Sequence, residues 1–210
     1  MTDFNDIKES LVRLDEARVL QLVKEALEKG NTAGDILNNG LIAAMDIIGE
    51  KMEKGDMFIP EVLMAAQTMA KGVHILKPLL GVDESSSRGC VVIGTVKGDL
   101  HDIGKNLVAM LMESAGFTVH NLGVDIPPDV FIKAIKEKKA GILCLSALLT
   151  TTMPMMKQTI DAVVESGLRD QIKIMVGGAP VTKDFAVGIG ADAYAADAGS
   201  AAKAAKALLN

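Results

Sequence analysis

Up to about residue 80 the apolar positions recur with a helical period in three segments. Ile7, Leu11 and Leu14, continuing to Leu22, Val23, Ala26 and Leu27, mark one face of the first. Leu37, Leu41, Ala44, Met45, Ile48 and Met52 mark the second, and Val62, Ala66, Met69, Val73 and Leu76 the third. Gly30-Asn31-Thr32 supplies a stop and a fresh N-cap, while Phe58-Ile59-Pro60-Glu61 places proline in the first turn of the third segment with an acid beside it. Helices with one apolar stripe each must bury those stripes against one another, which predicts a small helical bundle.

Gly81-Val82-Asp83-Glu84-Ser85-Ser86-Ser87-Arg88 is polar, Ser-rich and without an apolar period, so it reads as a linker dividing a domain at 1–88 from one at 89–210. Beyond it the period changes. Short β-branched runs at Cys90–Val96, Thr118–Asn121, Ile142–Ser146, Lys173–Val176 and, more weakly, Ala193–Ala195 alternate with amphipathic stretches around 104–115, 128–138, 155–167, 181–189 and 199–209. Continuous apolar strands alternating with helices predict a doubly wound five-stranded parallel sheet covered on both faces. In such a sheet ligands bind beyond the carboxyl ends of the strands where strand order reverses, so the residues after strands one, three and four matter most.

Composition narrows the function classes. The chain has 210 residues with 22 Lys plus Arg against 27 Asp plus Glu, a net charge of −5, of which −4 falls in residues 1–80 (9 basic, 13 acidic). There is no basic face for phosphates, and 3% aromatics with no Trp leave little to stack on bases, which argues against nucleic acid as a partner. The start, Met1-Thr2-Asp3-Phe4-Asn5-Asp6, is acidic where a signal peptide would be basic, and no uncharged stretch is long enough to span a bilayer. A cytoplasmic protein that uses no membrane is expected. Cys90 and Cys144 each sit inside an apolar strand, the setting of inert core thiols.

The candidate chemistry lies after the strands. Strand one runs into Lys97-Gly98-Asp99-Leu100-His101-Asp102-Ile103-Gly104-Lys105-Asn106, which lacks the glycine spacing of a phosphate loop and offers one imidazole among carboxylates. Two residues apart in an extended loop, Asp99 and His101 project to one side, so the carboxylate can hold one ring nitrogen while the other faces outward. Such a histidine is a base or a metal ligand, with a plain loop hydrogen bond as the alternative. After strand three comes Ser146-Ala147-Leu148-Leu149-Thr150-Thr151-Thr152, rich in hydroxyls, and after strand four Gly177-Gly178-Ala179-Pro180, which would let a bulky group lie against the backbone. Together the three loops describe a slot.

Asp99-x-His101-x-x-Gly104, then Ser146-x-Leu148 after 41 residues (105–145), then Gly177-Gly178 after 28 (149–176), resembles the signature of the cobalamin-binding domain. The resemblance implies cobalamin bound base-off and His-on, with the cofactor's own base buried in the slot, His101 on cobalt and Asp99 orienting it. It further implies that Gly98, Asp102, Ile103 and Gly104 line the lower corrin face. Ser146, Leu148 and Thr150 would border the nucleotide tail, and Gly177 and Gly178 would make room for it. Thr152 falls where methionine synthase extends the His–Asp relay with a Ser, and Tyr194 and Ala198 match the late strand and loop that close over the tail. Residues 1–80 are similar to the helical cap that precedes this domain in methionine synthase and in corrinoid methyltransferase proteins. Phe58, Ile59 and Val62 match the apolar cluster that shields the upper face. Met52 stands where methionine synthase has a second aromatic, and around Asn38-Asn39-Gly40 amides stand in place of an acid.

A cap plus a cobalamin domain, with no length for a substrate barrel, looks like the corrinoid methyl carrier of a three-component system. The resemblance then implies a substrate-specific methyltransferase as donor partner and a methylcorrinoid:acceptor methyltransferase delivering to tetrahydrofolate or a thiol coenzyme. A reductive activase is the third expected partner. The cofactor carries the chemistry and the chain itself catalyses neither half-reaction. A cobalamin-dependent sensor or regulatory binding module is the alternative; it would usually carry a further DNA-binding or signalling domain.

Overall fold

The fold is taken from a computed structural model that describes residues 4–79 and 88–209; the linker expected over 81–88 lies outside these except for Arg88. The described residues fall into two compact units, one made of the residues up to 79 together with Ser114–Gly116, the other of the residues from 88 on apart from those three.

The first unit is helical. Its elements are α1 (Asn5–Val12), α2 (Glu16–Glu28), a run made of α3 (Ala33–Asp35), a π-helical segment (Ile36–Ile42) and α4 (Ala43–Glu53), and finally α5 (Ile59–Leu76). The first expected segment is therefore two helices. Leu14 takes a left-handed φ of 61°, which breaks the helix, and the Asp15 side chain accepts from the Arg18 N–H to start α2. The other end signals operate as read. Gly30 turns at φ 83°, the Thr32 hydroxyl accepts from the Asp35 N–H, and Glu61 reaches back to the Phe58 N–H at 2.8 Å. The helix α1 packs on α2 and α4, and α5 on α2 and α4, around Leu11, Val19, Val23, Ile36, Leu41, Ile48, Ala65 and Leu76.

The second unit carries β1 (Cys90–Thr95), α6 (Ile103–Ser114), β2 (Thr118–Asn121), α7 (Pro128–Lys138), β3 (Ile142–Ser146), α8 (Met153–Glu165), β4 (Lys173–Gly177), α9 (Lys183–Gly188), β5 (Ala193–Ala195) and α10 (Ala198–Leu208). All strand pairs are parallel, in the order β2-β1-β3-β4-β5. One face of the sheet, Val92, Leu143, Leu145, Ile174 and Val176, packs on Phe131, Ala134 and Ile135 of α7 and Met156, Ile160 and Val163 of α8. Gly94 permits this packing, since a Cβ there would stand 2.7 Å from the Phe131 ring. The chain leaves β1 toward β2 on one side and β3 toward β4 on the other, so strand order reverses between β1 and β3. The loops after those two strands flank the crevice that this reversal opens. No helix among the described residues is long and apolar enough to cross a membrane.

Candidate functional site

The crevice between β1 and β3 is closed at its floor by one carboxylate. Asp99 is 0% exposed, and all its lone-pair directions are used. Its Oδ1 meets His101 Nδ1 at 2.7 Å and accepts from the His101 N–H at 3.1 Å. Its Oδ2 accepts from the N–H groups of Leu148 and Leu149 at 2.7 and 3.2 Å and from the Thr152 hydroxyl at 2.7 Å. Burial opposes its ionisation, but the His101, Leu148 and Thr152 hydrogen bonds outweigh that and hold its carboxyl well below the usual carboxylate range. Asp99 thereby joins the β1 loop to the β3 loop and fixes the imidazole by one nitrogen.

That fixing leaves the rest of the ring open. The His101 side chain is 51% exposed although its Nδ1 is engaged, which presents Nε2 outward. Around it Leu100 and Ile103 are exposed at 71% and 86%, with Leu148 exposed as well. Gly104 has nothing within 4 Å of where a Cβ would be, so no packing within the chain forbids a side chain there. A pinned imidazole on an open apolar surface suits a flat macrocycle that brings its own metal. Among the described residues no three His, Cys, Asp or Glu side chains gather to hold a bare ion, whereas a macrocycle needs only one axial donor.

The expected site residues fall into distinct places. Gly98 turns at φ 83° before Asp99, and Asp102 is exposed, accepting from the Asn106 amide at 3.0 Å. Ser146 is half-buried at the tip of β3, opposite Thr95 and Gly177, and Thr150 is exposed in the following loop. Thr152 is 6% exposed and touches Asp99 and the Leu149 carbonyl, so it can act only through Asp99. Tyr194 is half-buried on β5, with β4 between it and β3. Ala198, expected to help close over a ligand, is buried at 6% as the first residue of α10 and offers no side-chain surface.

The glycine pair lies close to neighbouring backbone. A Cβ on Gly178 would stand 1.9 Å from the Ala147 carbonyl oxygen, and one on Gly177 3.0 Å from that of Ala195. The space that a Cβ on Gly178 would need is filled by the β3 loop, so this glycine lets two strand tips approach. In the helical unit Phe58 is 67% exposed and Ile59 41%, but Val62 is 3% exposed. One helical turn carries Val62 round to the core face, so the expected apolar surface reduces to the first two. Met52 and Asn38 are half-buried, Asn39 is exposed, and Gly40 is buried in the π segment against Ile7.

Sequence reasoning missed three contributors. Thr95, fully buried at the end of β1, donates its hydroxyl to the His101 carbonyl at 2.8 Å; a polar residue closing an apolar strand was its signal. The Leu148 and Leu149 N–H groups are backbone donors without a sequence signature. Asp125, in the turn after β2, accepts from the Gly98 N–H at 2.7 Å, and nothing in an isolated Asp pointed to the neighbouring loop.

Comparison with known proteins identifies the family. The profile of the B12 binding domain matches residues 89–209, and a second B12 binding domain profile matches residues 4–77. The chain is 41% identical over 205 residues to the trimethylamine corrinoid protein of Methanosarcina barkeri, covering 97% of this chain and 94% of that one. Among solved structures it is similar to a cobalamin-binding protein from Desulfitobacterium hafniense DCB-2, with a TM-score of 0.82, 30% identity, and 99% of both chains covered. It is also similar to a chain of the methanol:cobalamin methyltransferase complex of Methanosarcina barkeri, with a TM-score of 0.87 and 30% identity over 98% of this chain and 79% of that one. The chain is a corrinoid protein of the B12-binding family, and cobalamin, with its cobalt, is its cofactor.

Proposed function

We propose that this corrinoid protein carries a methyl group between two methyltransferases, holding cobalamin base-off with His101 as the lower ligand. One observation carries the reading: an imidazole pinned through Nδ1 by a buried carboxylate, with the rest of its ring open, at the point where strand order reverses. Bound there, the corrinoid supplies a cobalt centre that can take up and give up a methyl group. The chain's own residues bind and orient. Asp99 holds the ring aimed, and Thr152 supports Asp99 from the β3 loop. Gly98, Asp102, Ile103 and Gly104 border the open face beside His101; Ser146, Leu148 and Thr150 border the β3 side for the nucleotide tail, with Gly177, Gly178, Tyr194 and Ala198 as the frame behind it. In the helical unit we assign the exposed Phe58 and Ile59, with Val62 beneath them, to the corrinoid.

The relatives support the carrier role, since one is named as a trimethylamine corrinoid protein and another belongs to a methanol:cobalamin methyltransferase complex. We assign it a methylamine-type or methanol-type methyltransferase as donor partner, a second methyltransferase delivering to tetrahydrofolate or a thiol coenzyme, and a reductive activase. The domain division at 88/89 is adopted as part of the same reading.

The test loads the purified protein with cobalamin, reduces it, and supplies methylamine or methanol methyltransferases with isotopically labelled substrate. About one labelled methyl group per chain, recoverable on a thiol or tetrahydrofolate acceptor when the second enzyme is added, is the expected result. A loaded, reduced protein that takes no label from any donor system would contradict the carrier role.

A further inference from the structure

The turn that follows β2, residues 121–126, belongs to none of the loops that the sequence singles out, yet it is tied directly to the His101 loop. Asp125 makes both ties. Its Oδ1 accepts from the Gly98 N–H at 2.7 Å, and its own N–H donates to the Asp99 carbonyl at 3.0 Å. The two bonds bracket the peptide that joins Gly98 to Asp99. Asp125 adopts φ 56° to make them, a left-handed conformation that Asp and Asn hold more readily than other side-chain residues.

The turn is itself held at both ends. Thr95 donates its N–H to the Gly123 carbonyl at 3.0 Å, and the Ile126 N–H donates back to the Thr95 carbonyl at 3.0 Å. At the start of the turn, Asn121 Oδ1 accepts from the Gly123 N–H at 3.1 Å and from Lys105 Nζ at 2.6 Å, and its amide donates to Asn106 Oδ1 at 2.9 Å. Lys105 is 3% exposed and also donates to Asn106 Oδ1 at 2.6 Å. A buried ammonium on α6 thus secures the end of β2, from which Asp125 is presented.

A side chain can aim a ring only if its own backbone is fixed. The β3 loop fixes the carboxylate of Asp99, through Leu148, Leu149 and Thr152, but these bonds do not reach the Gly98 N–H or the Asp99 carbonyl. Asp125 does. We propose that Asp125 is a positioning residue for His101, holding the Gly98 N–H and the Asp99 carbonyl from the β2 side so that Asp99 presents its Oδ1 to Nδ1 and the ring keeps Nε2 outward. This rests on the reading of His101 as lower ligand for its functional meaning, while the positioning itself is a property of the cofactor-free chain.

The test therefore has two readouts. In cofactor-free protein, imidazole nitrogen NMR shifts give the share of His101 in the Nδ1–H tautomer. In cobalamin-loaded protein, the Co(II) electron paramagnetic resonance spectrum gives the nitrogen-coupled share. Asp125→Gly keeps the left-handed backbone and removes the acceptor; Asp125→Asn keeps both. We expect Asp125→Gly to lower the ratio of Nδ1–H to Nε2–H tautomer by about threefold or more, the scale of one lost hydrogen bond, and to lower the nitrogen-coupled ratio in parallel. Asp125→Asn should stay within about twofold of wild type. If Asp125→Gly does not fold, Asp125→Ala is read by the same criterion. Tautomer ratios equal in wild type and the acceptor-less variant would overturn the proposal. A wild-type Co(II) spectrum without nitrogen coupling, alongside a tautomer ratio that does depend on Asp125, would overturn the ligand reading and leave the positioning intact.

Discussion

A carboxylate without water around it persists as an anion only when donors replace the water, and Asp99 has donors from His101, Leu148, Leu149 and Thr152. Because its folded pKa is depressed, its contribution to stability is complete above the unfolded-chain value of about 3.9. That contribution is lost as pH falls from there through the lower folded value. Asp99→Asn must turn an amide N–H toward at least one donor, so at pH 7 it should cost about 2–4 kcal/mol. Its urea midpoint should also change less than that of wild type between pH 5 and 3, and equal acid sensitivity of the two proteins would refute this. The motif glycines separate by a similar argument. Gly178→Ala places a Cβ 1.9 Å from the Ala147 carbonyl at a φ of +138° and should destabilise the cofactor-free protein by roughly 3 kcal/mol or more. Gly104→Ala, in α6 with nothing near, should leave it unchanged or up to about 1 kcal/mol more stable while weakening cobalamin binding. Thermal melts of the cofactor-free variants and a cobalamin titration distinguish the two.

At the scale of elements, end signals decided more than propensity. The Gly30–Thr32 stop and the Pro60–Glu61 start were legible because each rests on local chemistry. The break between α1 and α2 was not, since Leu14 continues the apolar period while its backbone leaves the helix. The π segment likewise has no signature in a pattern that both helix types satisfy. Glu61→Ala removes the acceptor for the Phe58 N–H and should cost about 1 kcal/mol, whereas Glu50→Ala, exposed on α4, should cost less than about 0.5 kcal/mol. Denaturant midpoints with unchanged slopes would establish the difference, and equal losses would show that the cap has no special weight.

Across the whole molecule, strand and helix alternation made the parallel sheet legible, and the strand reversal made it legible which loops would meet. Asp99 and His101 could be paired from sequence because they are close in the chain. Thr95 and Asp125 could not, because their contacts depend on how β1, β2 and the loop between β1 and α6 come together. Val62, Ala198 and Gly178 carry packing that motif position did not reveal, since each is buried or closely approached by neighbouring backbone. The proposed function turns on His101 as the ligand of the cobalt. The most direct measurement is the Co(II) electron paramagnetic resonance spectrum of cobalamin bound to wild type and to His101→Ala. Nitrogen coupling from imidazole in wild type, lost in His101→Ala, is the expected result; the same coupling persisting in His101→Ala would contradict it.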